Sequence, residues 1–134
     1  MIPNPRNAYA ANSIATASPG RLLVMLYDRL SLDVRRAGAA QDEGNHEEAR
    51  KQILHAQEIV SELHSTLKVD VWEGGPALFS LYAYLTKRLI DANIGRDRAA
   101  TAECQTIIDD LASAWREALA SGAAGPAVPV VVTA

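Results

Sequence analysis

Residues 15–30 read ATASPGRLLVMLYDRL, and the way this stretch divides its apolar side chains between two surfaces decides what the chain builds. Its first half starts a helix: Ser18 offers a side-chain oxygen to an early backbone N–H, and Pro19 stands where a missing N–H costs nothing. From Leu22 to Tyr27 six apolar or aromatic residues then follow one another. A helix burying one stripe of about 100° uses only about half of them. Something must cover the other face.

Working outward, Leu23, Tyr27, Leu30, Val34 and Ala37 recur at alternating steps of four and three, which predicts a first helix from about Pro19 to Gln41, stopped by Gly44. Asn45 caps a second helix, with Glu48 at the third helical position to complete a capping box. The stripe of this helix is Ala49, Ile53, Ala56, Val60, Leu63 and Leu67. The linker VDVWEGGP, residues 69–76, breaks the pattern with paired glycines and Pro76. A third helix follows from Pro76 with Leu78, Leu81, Leu85, Leu89 and Ala92 on one side, and Asn93 and Gly95 supply its stop. Asp97 caps a fourth, striped by Cys104, Ile108, Leu111, Trp115 and Ala118 and closed by Gly122.

Helices of about 23 residues are each roughly 35 Å long, and matched lengths with short connections make neighbours antiparallel. The expected fold is all-α: an up-down-up-down four-helix bundle over residues 18–121, with a flexible N-terminal arm over 1–17 and a flexible uncharged tail over 122–134. The tail contains two prolines and no periodicity. Its valines also suit an added strand on some partner. No internal repeat is visible.

At 134 residues the chain is one domain, long enough for a core without disulfides or metals. A net charge of -3 lacks the basic excess that phosphate binding requires, which argues against nucleic acid. The single cysteine, Cys104, cannot form an internal disulfide and suits a reducing compartment as a small apolar residue. No apolar run has signal-peptide length or approaches the roughly 20 residues of a membrane span. The expectation is a cytoplasmic protein without membrane insertion.

Helical bundles host several chemistries. A di-iron bundle needs Glu-x-x-His pairs within helices, and the one such spacing, Glu43 to His46, straddles the Gly44-Asn45 break. His55 and His64 lie nine residues apart, about half a turn around the helix, and cannot share a metal. A histidine phosphotransfer bundle presents an exposed histidine near a lysine, for which His64 and Lys68 are the candidates, but the His-x-x-Lys-Gly order is not kept. No Gly-rich phosphate loop is present, and no serine or cysteine has an obvious base. Asp28 reads as a solvated or locally paired carboxylate. The chain therefore reads as a binder, with no catalytic, cofactor-binding or metal-ligating residue.

The surplus apolar residues fit that reading. Leu22, Val24, Met25 and Leu26 have only partial claims on the core, and the third helix repeats the excess with Phe79, Tyr82 and Tyr84. Leaving a large apolar side chain bare forgoes roughly 1.5 to 3 kcal/mol, which points to a groove for a partner or to a self-cover. Tyr9 and Ile14 in the arm supply one candidate cover. A purely structural reading, in which these residues thicken the core or form the seam of an oligomerisation module, stays open on periodicity alone.

In these same residues the chain resembles the flagellar export chaperone family FliS. The resemblance rests on Tyr9, then Thr16, Ala17, Ser18, Pro19, Met25, Leu26, Tyr27 and Asp28 in a pattern close to TASP..L..MLYD. Ile59, Glu62 and Leu63 follow, then Gly74, Gly75, Leu78, Leu81, Tyr82 and Tyr84, then Ala92, Asn93 and Trp115, in the family's order. The resemblance implies a helical bundle that binds the disordered C-terminal segment of flagellin without ATP. It would prevent premature polymerisation and deliver its client to a component of the flagellar type III export gate. The implied mode is helix-in-groove recognition with folding on binding. On that reading the groove or arm residues are Tyr9, Ile14, Leu22, Met25, Leu26, Tyr27, Phe79, Tyr82 and Tyr84, and the empty groove is covered by the arm or by a second copy in a homodimer.

Overall fold

The computed structural model describes residues 18–68 and 73–122. Four helices run in chain order: α1 (Pro19–Asp42), α2 (His46–Thr66), α3 (Gly75–Ile94) and α4 (Arg98–Ala120). Each packs against its chain neighbours, and α4 returns to pack on α1. This closes the square of an up-down-up-down four-helix bundle with no strand among the described residues. The expected arm over 1–17, with Tyr9 and Ile14, and the tail beyond Gly122 lie outside the described residues, as does part of the linker, 69–72.

The caps form largely where the sequence puts them. Ser18 accepts from the Arg21 N–H at 3.2 Å, Asn45 from Glu48 N–H at 3.2 Å and Asp97 from Ala100 N–H at 3.1 Å. Between α1 and α2 the chain is economical. Gly44 adopts φ +73°, its N–H donates to the Gln41 carbonyl, and the Asn45 N–H donates to Ala40, which closes α1 in a Schellman turn. That last bond is why the expected capping box is only half made. With the Asn45 N–H already engaged, the Glu48 carboxylate instead accepts from Gln52 at 2.6 Å.

α3 stops at Gly95, its C-cap, as expected, and the left-handed residue that follows is Arg96, at φ +50°. Two stripe expectations are corrected. On α3 the residue fully inside the core is Tyr82, and Leu81 is only partly buried; on α4, Ala112 is buried and Leu111 flanks it. In each case the core lies between two helices rather than beneath one, and the stripe shifts by one residue toward the nearer neighbour.

The core holds Leu23, Tyr27, Leu30 and Val34 of α1, the α2 stripe, Leu78, Tyr82, Leu85 and Leu89 of α3, and Cys104, Ile108 and Trp115 of α4. At its centre the hydroxyls of Tyr27 and Tyr82 meet at 2.6 Å across the bundle diagonal. Trp115 reaches the same Tyr27 hydroxyl. Burial pushes the Tyr27 hydroxyl up to about 12 and drives that of Tyr82 further up. The Cys104 thiol, pushed up to about 12 by burial, is packing material and no nucleophile.

Candidate functional site

Of the nine residues expected to line a groove or arm, Tyr9 and Ile14 lie outside the described residues, and the other seven do not converge. Tyr27 and Tyr82 are 0 % exposed and belong to the core, because their rings fill its centre and their hydroxyls satisfy each other. Leu22 and Leu26 are half-buried on α1. Met25 is exposed in a depression between α1 and α4, beside Val24 and Leu119 and rimmed by Arg21, Asp28 and Arg116. There Arg116 is ion-paired with Asp28, so Asp28 is locally paired. Tyr84 is exposed on the α3–α4 side, and its hydroxyl donates to Glu103 at 2.7 Å. Glu103 also accepts from Arg88 at 2.7 Å, and these two donors hold its carboxyl below its ordinary range. Phe79 stands apart from all of these, on the α2 side of α3, edge-on to His64 at 4.1 Å.

Phe79 begins a row of exposed apolar side chains on α3 that continues through Ile90 and Ile94. On α2, Arg50, Gln57, Ser61 and His64 recur at steps of seven, four and three; on α3, Phe79, Ala83, Thr86, Ile90 and Ile94 recur at fours and threes with a final step of four. At 100° per residue each row follows one flank of its helix. His64 stacks on Phe79 at one end, and Arg50 and Ile94 line a single cavity at the other. The two flanks therefore face one groove along the α2–α3 seam. Phe79, Ile90 and Ile94 are exposed on α3, Ile94 at 79 %, while Leu54 is exposed on the outer side of α2, in a depression it shares with Arg29, Arg50 and His55. Phe79 and Ile94 are about 22 Å apart along α3.

The groove also carries polar atoms in need of partners. Gln57 Oε1 and His64 Nε2 are buried with no hydrogen-bond partner among the described residues. Such atoms normally find one, and both lie on the row that faces the groove. His64 is also the residue a phosphotransfer role requires in solvent; here its ring is wedged against Phe79 and its Nε2 is buried. Leu54, Gln57, Ile90 and Ile94 escaped sequence reasoning. For Leu54 and Ile90 the signal was an apolar residue directly beside a stripe residue, as in Ile53-Leu54 and Leu89-Ile90; Gln57 and Ile94 carried no such signal.

Polar contacts on the other seams hold helix to helix. Asp33, fully buried on α1, is paired with His55 of α2 and accepts from Arg29 at 3.0 Å. Ser31 donates to Asp109 at 2.6 Å, and Gln105 donates to both. Gln41 joins the Ala92 carbonyl to Thr101. Among the described residues no three histidine, cysteine or acidic side chains converge on a metal-sized site, and no helix is long and apolar enough to cross a membrane.

Comparison with known proteins agrees with the motifs. Residues 2–122 match the family model described as flagellar protein FliS. The chain is 35% identical over 120 residues to the flagellar secretion chaperone FliS of Bacillus subtilis, covering 90% of each chain. It is 27% identical over 115 residues to that of Escherichia coli, covering 82% of each. To that of Salmonella typhimurium it is 28% identical over 111 residues, covering 79% of this chain and 80% of the relative. The four-helix bundle, the order of its motifs and these matches together make the chain a member of the flagellar protein FliS family, with the chaperone role in flagellar export that this family carries.

Proposed function

We propose that this chaperone binds the C-terminal segment of flagellin along the α2–α3 groove, keeps it from polymerising in the cytoplasm and passes it to the flagellar type III export apparatus. The observation that carries this reading is the exposed apolar row of α3, Phe79, Ile90 and Ile94, beside a polar flank of α2 on which Gln57 Oε1 and His64 Nε2 have no partner among the described residues. An amphipathic helix of about 15 residues matches the groove's length. Its apolar face covers Phe79 and Ile90, and a polar side chain within that face meets Gln57. Because the client orders as it binds, part of the interaction offsets lost chain entropy.

Isothermal titration with a peptide covering the C-terminal segment of flagellin from the same organism tests this. The expected result is a one-to-one complex with a negative heat-capacity change and a gain of helix. Ile90→Glu and Phe79→Glu are each expected to weaken binding by ten- to a hundredfold, the equivalent of one large apolar contact. Wild-type affinity in both variants would remove the α2–α3 groove from the reading.

A further inference from the structure

The groove has two unlike ends. At the end near the α1–α2 and α3–α4 turns it opens into a cavity of about 250 Å³, where Ile53 and Ile94 supply apolar wall and His46, Arg50 and Arg96 supply every ionisable group. Elsewhere among the described residues Arg29, Arg88, Arg98 and Arg116 each have a carboxylate, whereas Arg21, Arg35 and Arg36 on α1 have none. Arg50, Arg96 and His46 have none among the described residues. The nearby acids are committed elsewhere: Asp42 to Arg98, Asp91 to Arg88 and Glu48 to Gln52. Glu47, Glu48 and Glu58 line a neighbouring depression with His55 that Arg50 also borders, but none of them pairs with Arg50. On a chain of net charge -3, an unneutralised basic pocket closes the apolar groove.

The backbone supports the same feature. Arg96 holds φ +50°, a left-handed conformation strained for a residue with a Cβ, directly after a glycine that does not use it. A residue kept in such a conformation where glycine stands next door is a pointer to function.

We propose that this pocket receives the C-terminal end of the client helix, its terminal carboxylate lying between Arg50 and Arg96. The client then runs parallel to α3 and antiparallel to α2. This rests on the flagellin-binding role proposed above and assigns its polarity. Three negative features coincide at a helix C-terminus that ends a chain: unpaired carbonyls, the negative end of the macrodipole and the carboxylate itself. A guanidinium matches a carboxylate with two parallel N–H groups, and Ile53 and Ile94 cover the last apolar side chain. The reverse polarity would bring the positive end of the helix against two arginines.

The test uses the full chain and the flagellin peptide above in two forms, free acid and C-terminal amide. The amide is expected to bind wild type about tenfold more weakly than the acid. With Arg50→Gln/Arg96→Gly the two forms are expected to bind equally, at about the amide's wild-type affinity. Replacing Arg96 with glycine relieves the left-handed backbone, so an unchanged or higher melting temperature shows that the loss is not a folding defect. A spin label at the peptide's C-terminus is expected to broaden the Ile94 methyl resonances and spare the Phe79 ring. Equal binding of acid and amide to wild type, or broadening at Phe79 in place of Ile94, overturns the polarity while leaving groove binding intact. If neither form binds wild type, both the polarity and the flagellin role fall. A loss traced to an acidic side chain of the peptide, with no effect of amidation, overturns the terminal assignment.

Discussion

At the scale of single residues, the two tyrosines that resemblance would place in a binding groove are the polar centre of the core. Tyr27 is the hub, with contacts to both Tyr82 and Trp115, whereas Tyr82 has the single hydroxyl partner. Tyr82→Phe leaves Tyr27 a partner and is expected to cost about 1 kcal/mol in urea unfolding. Tyr27→Phe leaves the Tyr82 hydroxyl buried and unmatched and takes a contact from Trp115, so about 2 to 3 kcal/mol is expected. The reverse order would show that the hydroxyl pair is not organised around Tyr27. These roles were not legible beforehand. A tyrosine on an apolar stripe reads the same whether its hydroxyl ends in solvent, at a partner or against a second tyrosine 55 positions away.

At the scale of elements, helix ends were read well and helix flanks poorly. Ser18, Asn45 and Asp97 cap as their types dictate, because a cap is satisfied within three residues of itself. Asp97→Ala is therefore expected to cost about 1 kcal/mol, measured as a fall in melting temperature. Seams depend on the neighbour. The Asp33 carboxylate, fully buried, joins α1 to α2 through half-exposed His55. Removing the imidazole leaves that carboxylate with Arg29 alone, and His55→Ala is expected to destabilise by about 1 to 3 kcal/mol. Asp33→Asn is expected to cost less, because His55 and Arg29 reach water once freed. Equal effects would mean that the carboxylate is not the costly group.

At the scale of the whole molecule, the buried tyrosine pair sets the alkaline limit of stability. Both hydroxyls are raised above the ordinary value of 10.0, Tyr27 to about 12 and Tyr82 beyond it. Above pH 10 the unfolded chain loses these protons while the folded chain keeps them, so folding binds protons and stability falls as pH rises. Their contribution is fully present below about pH 10 and is lost as pH climbs through 12. Unfolding midpoints are expected to be level between pH 7 and 8, to begin falling near pH 9, where the unfolded chain ionises the thiol of Cys104, and to drop more steeply from pH 10 upward, with a shallower drop above pH 10 in Tyr27→Phe/Tyr82→Phe. An unchanged slope in that double variant would assign the alkaline limit to other groups.

By itself the sequence determined the number of helices, their ends, their antiparallel order and most of the core. Each of these follows from local chemistry: caps within one turn, glycines at left-handed positions and an apolar period of 3.6 residues. The order of the FliS motif along the chain was equally legible. Only the tertiary structure decided which surplus side chains face inward and which seam stays open. Phe79 and Tyr82 are one turn apart on the same helix, yet one lines the groove and the other fills the core. That outcome depends on where α2 lies, and His64 on α2 meets Phe79 only after the chain has turned back on itself. The basic pocket is of the same kind: His46, Arg50 and Arg96 come together because an antiparallel pair sets the start of α2 beside the end of α3.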